Sequence, residues 1–219
     1  MASVNVDLVL DPVCPWCWLG HRYWKAAQEL VPEIAVETVL RPFQLDDSIP
    51  KQGVPYQAYM KARIGEDAQG RFKAMRAHLE EAGPKAGIVF NFDEITTRPN
   101  TMDAHRVIRW AQGQGQGEEA AEAVFKAYFE ERRDIGAADE LVAIAEAIGL
   151  EGDVVRDLLA SNRDTAEIER EERFFRSLGV AGVPCFIFNG AFAVSGAEAP
   201  ETLADAIRKA STLPQEHEE

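Results

Sequence analysis

The sequence predicts an α/β fold in which a small sheet unit, built from both ends of the chain, is interrupted after its second strand by an all-helical domain. Three observations carry this. The first fifty residues read as strand, helix, strand; the stretch from about Pro50 to Leu159 shows helical spacing; and beyond Ser177 short apolar runs return around Asn189-Gly190. With 219 residues, 46% of them hydrophobic, the chain is long enough to bury a core of this kind.

Val4 to Leu10 is a short apolar run interrupted by Asn5 and Asp7, the signature of a buried strand. Pro15 suits the first turn of a helix, where its missing N–H would have no partner anyway. That helix runs through Trp18, Tyr23 and Ala27 and ends before Pro32, and Ile34 to Leu40, rich in β-branched residues, makes the second strand. Asn100 or Thr101 caps a helix carrying His105 and Arg106 in its first turns. "AQGQGQGEE" reads as a flexible connector; no strand precedes its glycines, so it has no phosphate-loop context. In Glu118 to Glu130, Ala121, Val124, Phe125, Tyr128 and Phe129 share one helix face, and "ADELVAIAEAIGL" repeats the pattern with Asp139 as N-cap and Gly149 as stop. A charged helix, Thr165 to Ser177, follows. Two apolar runs flanking Asn189-Gly190 predict a hairpin, and a last helix runs from near Pro200 to about Ala210. The expected division is 1–49 with 163–212 as the discontinuous sheet unit, 50–162 as the helical insertion, and 213–219, ending in QEHEE, as a disordered tail.

A net charge of −14, spread along the chain, argues against nucleic acid and anionic membrane as partners. No run approaches the roughly 18 apolar residues that span a bilayer, and MASVNVDLVL lacks the features of a secretory signal, so a soluble cytoplasmic protein is expected. Three cysteines in this setting are not a disulfide framework.

Two of those cysteines form "CPWC", residues 14 to 17. A thiol where a helix begins meets unpaired N–H groups and the positive end of the helix dipole, which favour the thiolate. Cys14 takes that place as the attacking nucleophile. Cys17, one turn further in on the same side, can attack a mixed disulfide formed at Cys14 and resolve it. Metal is the first rival, since Cys14, Cys17 and His21 can share a helical face. A structural zinc wants four ligands, however, and neither a second CxxC nor an HxxxH occurs. No metal is therefore expected, and His21 is expected at the surface of the first helix. Two inert buried cysteines are the remaining rival, disfavoured by a CxxC that follows a strand and opens a helix.

"CPWC" after the first strand, "GVPCFIFNGAFAVSGA" (182 to 197), "RPFQL" (41 to 45) and "NTMDAHRVIRWA" (100 to 111) together resemble the DsbA-like thioredoxin-fold family. The resemblance is to its FrnE-like branch in particular, related to glutathione-dependent 2-hydroxychromene-2-carboxylate isomerases and kappa-class glutathione transferases. It covers nearly the whole chain and implies a thioredoxin unit with a helical domain after the second strand. It also implies a cis-proline at Pro184 beside the thiols, with the Val183 backbone holding substrate; the residues alone allow Pro184 simply to open a strand. Cys185 departs from the family pattern, as a small buried hydrophobe or a third redox thiol, and the extra C-terminal cysteine pair of some FrnE-like proteins is missing.

Pro15, Trp16, Pro42 and Phe43 are expected to rim the substrate cleft, with His105 also facing it and core packing the competing role for Trp18 and Phe43. Asp11 either relays a proton to Cys17 or is a turn residue beside Pro12. The expected activity is thiol–disulfide oxidoreduction on a protein or small molecule, without organic cofactor and with glutathione as a co-substrate at most. The alternatives are a glutathione-dependent isomerase or transferase acting on an aromatic or polyketide-like molecule, and a holdase whose cysteines are incidental. Kappa-type relatives suggest a homodimer.

Overall fold

The computed structural model describes residues 3–64 and 69–213. Its elements in order are β1 (Ser3–Leu10), α1 (Pro15–Glu29), β2 (Ala35–Pro42), β3 (Val54–Pro55), α2 (Tyr56–Ile64), α3 (Gln69–Lys85), β4 (Thr97–Arg98), α4 (Met102–Gln112), α5 (Gly117–Phe129), α6 (Ala138–Ala147), α7 (Gly152–Leu159), α8 (Thr165–Ser177), β5 (Cys185–Phe188), β6 (Phe192–Ser195) and α9 (Pro200–Ser211). Four strands form one sheet in the order β2-β1-β5-β6, with β1 parallel to β2 and antiparallel to β5. This is a thioredoxin-type α/β arrangement, and helices α2 to α7 all fall between β2 and the return of the chain at α8 and β5.

Strand alternation separates the two faces of the sheet. Val4, Val6, Leu8 and Leu10 join the main core, whereas Val9 joins Phe43, Phe175, Cys185 and Ile187 in a smaller cluster. Helix α1 is held from two sides. Trp24 packs on Phe186 and Phe188 with ring centroids 5.5 and 6.0 Å away, and its indole N–H donates to Thr38 at 3.0 Å. Trp18 stacks on Phe125 and Phe129 of α5, with centroids 6.3 and 5.9 Å away. Both tryptophans are fully buried, and a large apolar side chain so placed contributes about 1.5–3 kcal/mol. The segment that opens at Cys14 is therefore rigidly mounted.

Several local expectations are corrected. The middle of the chain is not purely helical: Val54–Pro55 pairs with Thr97–Arg98 in a two-stranded ribbon. Helix α6 is capped at Ala137, not Asp139, whose carboxylate sits in the first turn and engages Arg156. The glutamine–glycine connector is tied down by its side chains, Gln112 accepting from the Leu40 N–H at 2.7 Å and Gln116 donating to the Ile148 carbonyl at 2.8 Å. Asn189 and Gly190 both have positive φ (50° and 66°), and the Ala191 N–H closes the turn onto the Phe188 carbonyl at 2.9 Å. Of the expected tail, Leu213 still donates to the Ala210 carbonyl at 3.2 Å, and 214–219 lie outside the described residues. Among the described residues no helix is long and apolar enough to cross a membrane.

Candidate active site

Cys14 is the N-cap of α1, with extended backbone (φ −94°, ψ 113°) and Pro15 opening the helix behind it. Its carbonyl accepts from the Cys17 N–H at 3.0 Å, so the first turn begins at the motif itself. No acidic side chain occupies that turn, which leaves the helix dipole unopposed beside the sulfur. The Cys14 thiol points at the Val183 carbonyl oxygen, 3.6 Å from Sγ, and the Val183–Pro184 peptide bond is cis. Both thiols are free. Cys17 is 1% exposed, and burial, reinforced by the neighbouring Cys14 sulfur, pushes its thiol well above the usual range.

Asp11 lies at the end of β1, fully buried. Its carboxylate accepts from the Leu45 N–H at 2.8 Å and the Val13 N–H at 3.4 Å. Burial raises its pKa despite the Arg98 guanidinium, whose Nη2 is 4.0 Å away; toward Cys17 its backbone hydrogen bond and its charge act in opposite directions. The carboxyl and the resolving thiol thus share one dry environment.

A cavity of about 270 Å³ opens beside Cys14, walled by the start of α1, by α2 and α3, and by Phe92, Arg98 and Phe129. Pro15 and Trp16 line it, and the Trp16 ring stacks on His78 of α3 with centroids 5.4 Å apart. Pro42, Phe43 and His105 do not line it. Phe43 is 1% exposed in the small cluster on the sheet, its ring covered by the Arg176 guanidinium at 3.9 Å. His105 is buried behind Phe43, with Nε2 3.3 Å from the Phe43 carbonyl oxygen; desolvation holds its pKa down at about 4 against the pull of Glu172. Arg106 is spent on the Leu158, Ser161 and Arg163 carbonyls and on Asp103. Cys185 is buried, its sulfur accepting from Ser195 at 3.8 Å.

His21 is also corrected: it is fully buried and not at the surface, because α5 packs over that face of α1. Its Nδ1 is 3.3 Å from Glu122, which also accepts from Trp18 at 3.0 Å and from Arg22 at 2.6 and 3.1 Å. Burial alone would raise the Glu122 pKa, but these donors outweigh it and hold it at about 2. Among the described residues no cluster of three or more His, Cys, Asp or Glu is arranged to hold a metal.

Three residues of the site escape sequence reasoning: Glu122, Arg98 and Gly20. A Cβ at Gly20 would lie 2.8 Å from Pro184 Cγ, so the missing side chain lets α1 and the Pro184 segment meet. A glycine inside a helix is the one signal that pointed there.

A sheet of this topology with a CxxC at the mouth of its first helix defines a thioredoxin-fold protein. The chain belongs to the DsbA-like thioredoxin domain family, whose model matches residues 5–208. It is 27% identical over 207 residues to the uncharacterized protein YwbO of Bacillus subtilis (strain 168), covering 94% of this chain and 96% of that one. A probable DsbA oxidoreductase from Streptomyces coelicolor superposes with a TM-score of 0.89 at 27% identity, covering 99% of this chain and 93% of the other. A 2-hydroxychromene-2-carboxylate isomerase (TM-score 0.70, 17% identity, 94% and 95% covered) and the cytosolic disulfide reductase DsbM from Pseudomonas aeruginosa with GSH (0.63, 19%, 94% and 96%) share the fold.

Proposed function

We propose that this protein is a thiol–disulfide oxidoreductase in which Cys14 attacks and Cys17 resolves. One observation carries the reading: a free sulfur caps a helix and faces a cavity, while its partner thiol one turn inward is sealed and kept protonated by burial. The Cys14 thiolate attacks one sulfur of a substrate disulfide, forming a mixed disulfide and expelling a thiolate. Cys17 then gives its proton to Asp11 and attacks Cys14 Sγ, expelling the second thiolate and closing the Cys14–Cys17 disulfide. Two electrons pass to the substrate, and two glutathione thiols, oxidised to glutathione disulfide, restore the dithiol. Val183 offers its backbone to the bound sulfur compound, and Pro184 positions it. We place this activity in the cytoplasm.

Reduced protein is expected to reduce insulin disulfides or a small disulfide, with turnover lost in Cys14→Ser and a trapped mixed disulfide accumulating in Cys17→Ser. Undiminished turnover in Cys14→Ser sinks the assignment. The small size and mostly apolar lining of the cavity also favour a second reading, glutathione-dependent isomerisation or transfer on a small molecule. Glutathione-requiring turnover of a chromene carboxylate that survives Cys17→Ser separates the two.

A further inference from the structure

Resting on the redox assignment above, we propose that Arg98 makes the Cys14 cavity an acceptor for small disulfides and thiols that carry a carboxylate on an apolar body. The walls are apolar and aromatic, with Met60, Phe72, Met75 and Leu79 facing Phe92 and Phe129. No acidic side chain lines the cavity among the described residues, yet three arginines do: Arg63, Arg76 and Arg98.

The three differ in how far they are already neutralised. Arg76 is occupied, giving Nη1 and Nη2 to Asp93 at 2.7 and 2.6 Å and Nε to Glu80 at 2.7 Å. Arg63, at 56% exposure, is solvated and sits 3.7 Å from Asp46. Arg98 is 5% exposed, and its Nε is buried with no hydrogen-bond partner. Its nearest carboxylate, Asp11, is 4.0 Å away, beyond hydrogen-bonding distance, and already accepts from two backbone N–H groups. The Tyr59 ring covers the guanidinium at 5.3 Å; the Tyr59 hydroxyl donates to Asp46 at 2.9 Å, and the Tyr59 and Tyr128 hydroxyls also face the guanidinium, which leaves Nε as the nitrogen without a partner.

Guanidinium is a fixed fork of donors built for planar, two-oxygen acceptors, and leaving a buried donor unmatched is costly. A carboxylate entering the cavity supplies the missing acceptor, while its apolar body displaces water from the methionine and phenylalanine walls. The cavity's 270 Å³ suits one aryl or branched alkyl group, not an unfolded polypeptide. Bound this way, the substrate sulfur meets Cys14 at the rim, and the redox step is the one already balanced above.

The test uses reduced full-length protein in single turnover with 4,4′-dithiodibenzoate and with its uncharged diamide, followed by release of the aryl thiol. Wild type is expected to favour the dibenzoate, and Arg98→Gln to lower the ratio of the two rates about tenfold, the size of one lost charge-assisted hydrogen bond. Arg98→Lys should retain part of the preference. An unchanged ratio in Arg98→Gln, or an equal fall in both rates, overturns the proposal, the second because it marks a structural role. Should Arg98→Gln fail to fold by circular dichroism, wild type decides through a non-reducible probe. 4-(Methylthio)benzoate is expected to protect Cys14 from iodoacetamide where 4-(methylthio)benzamide does not, and equal protection overturns the subsite. Cys14→Ser separates the two levels: aryl thiol release persisting there removes the redox assignment, whereas the rate ratio and the protection experiment bear on Arg98.

Discussion

Asp11 and Glu122 are carboxyls packed near the same helix, and they are driven in opposite directions. Glu122 faces α1 with four hydrogen bonds from Trp18, His21 and Arg22, and these keep it ionised down to about 2. Asp11 has two backbone N–H groups, the Thr101 hydroxyl and an arginine that stops 4.0 Å short, and these do not offset burial, so its pKa rises. Burial acts on both; the donor set decides the sign. The well-supplied carboxylate is an anchor between α1 and α5. The under-supplied one lies in the same buried environment as Cys17 and, in the proposed mechanism, takes its proton.

The anchor gives the largest expected effect. A carboxylate lowered from 4.5 to about 2 stabilises the fold fully above the unfolded value, and that contribution is lost as pH falls from about 4.5 toward 2. Its size is about 3 kcal/mol. Glu122→Gln is therefore expected to lose most of this at pH 7 in urea unfolding, and to show a flatter acid limb than wild type. An unchanged midpoint means that the Trp18 and Arg22 contacts do not hold the helix.

Asp11 has the opposite slope. A raised pKa means that the folded state holds the proton longer, so stability contributed by the neutral carboxyl is present below 3.8 and is lost as pH rises through the folded value. Relative to wild type, Asp11→Asn should gain stability as pH increases. It should also resolve the Cys14 mixed disulfide about tenfold more slowly, the low end of what a positioned general base supplies. Stopped-flow release of the second thiol checks this, and a rate profile identical to that of wild type removes Asp11 from the proton path.

The difference between the two carboxyls also marks what sequence could reveal. The CPWC motif, its strand and helix, and the Asn189-Gly190 hairpin are local patterns, legible because each depends on residues within one turn or one strand pair. Glu122 is not, since its partners lie about a hundred positions away on another element, and nothing in the spacing of Trp18, His21 and Arg22 names an acceptor on α5. His21 is illegible for the same reason: a histidine in a helix shows no sign of the surface that will cover it. Pro42 ends β2 paired with Leu10, and Phe43, just beyond the strand, packs with Val9, Phe175, Cys185 and Ile187 in the smaller cluster, so neither reaches the cavity beside Cys14. Arg98, in a two-residue strand, carried no pattern at all.

Gly20 offers the smallest and most local test, where α1 meets the Pro184 segment. Alanine gains about 1 kcal/mol of helix propensity over glycine. Its Cβ, however, lands 2.8 Å from Pro184 Cγ and 3.4 Å from Pro184 Cβ, an overlap that neither ring nor helix can absorb without moving. Overpacking of this kind costs about 1–3 kcal/mol, so Gly20→Ala is expected to lose about 1 kcal/mol net. Because the displaced group is joined to Val183, whose carbonyl faces the Cys14 thiol, the attack rate should fall while the Glu122-dependent acid limb keeps its shape. A variant that is more stable than wild type and equally fast would show that α1 and the Pro184 segment have room to separate, and would leave Glu122 and the Trp18 and Trp24 contacts to fix the helix.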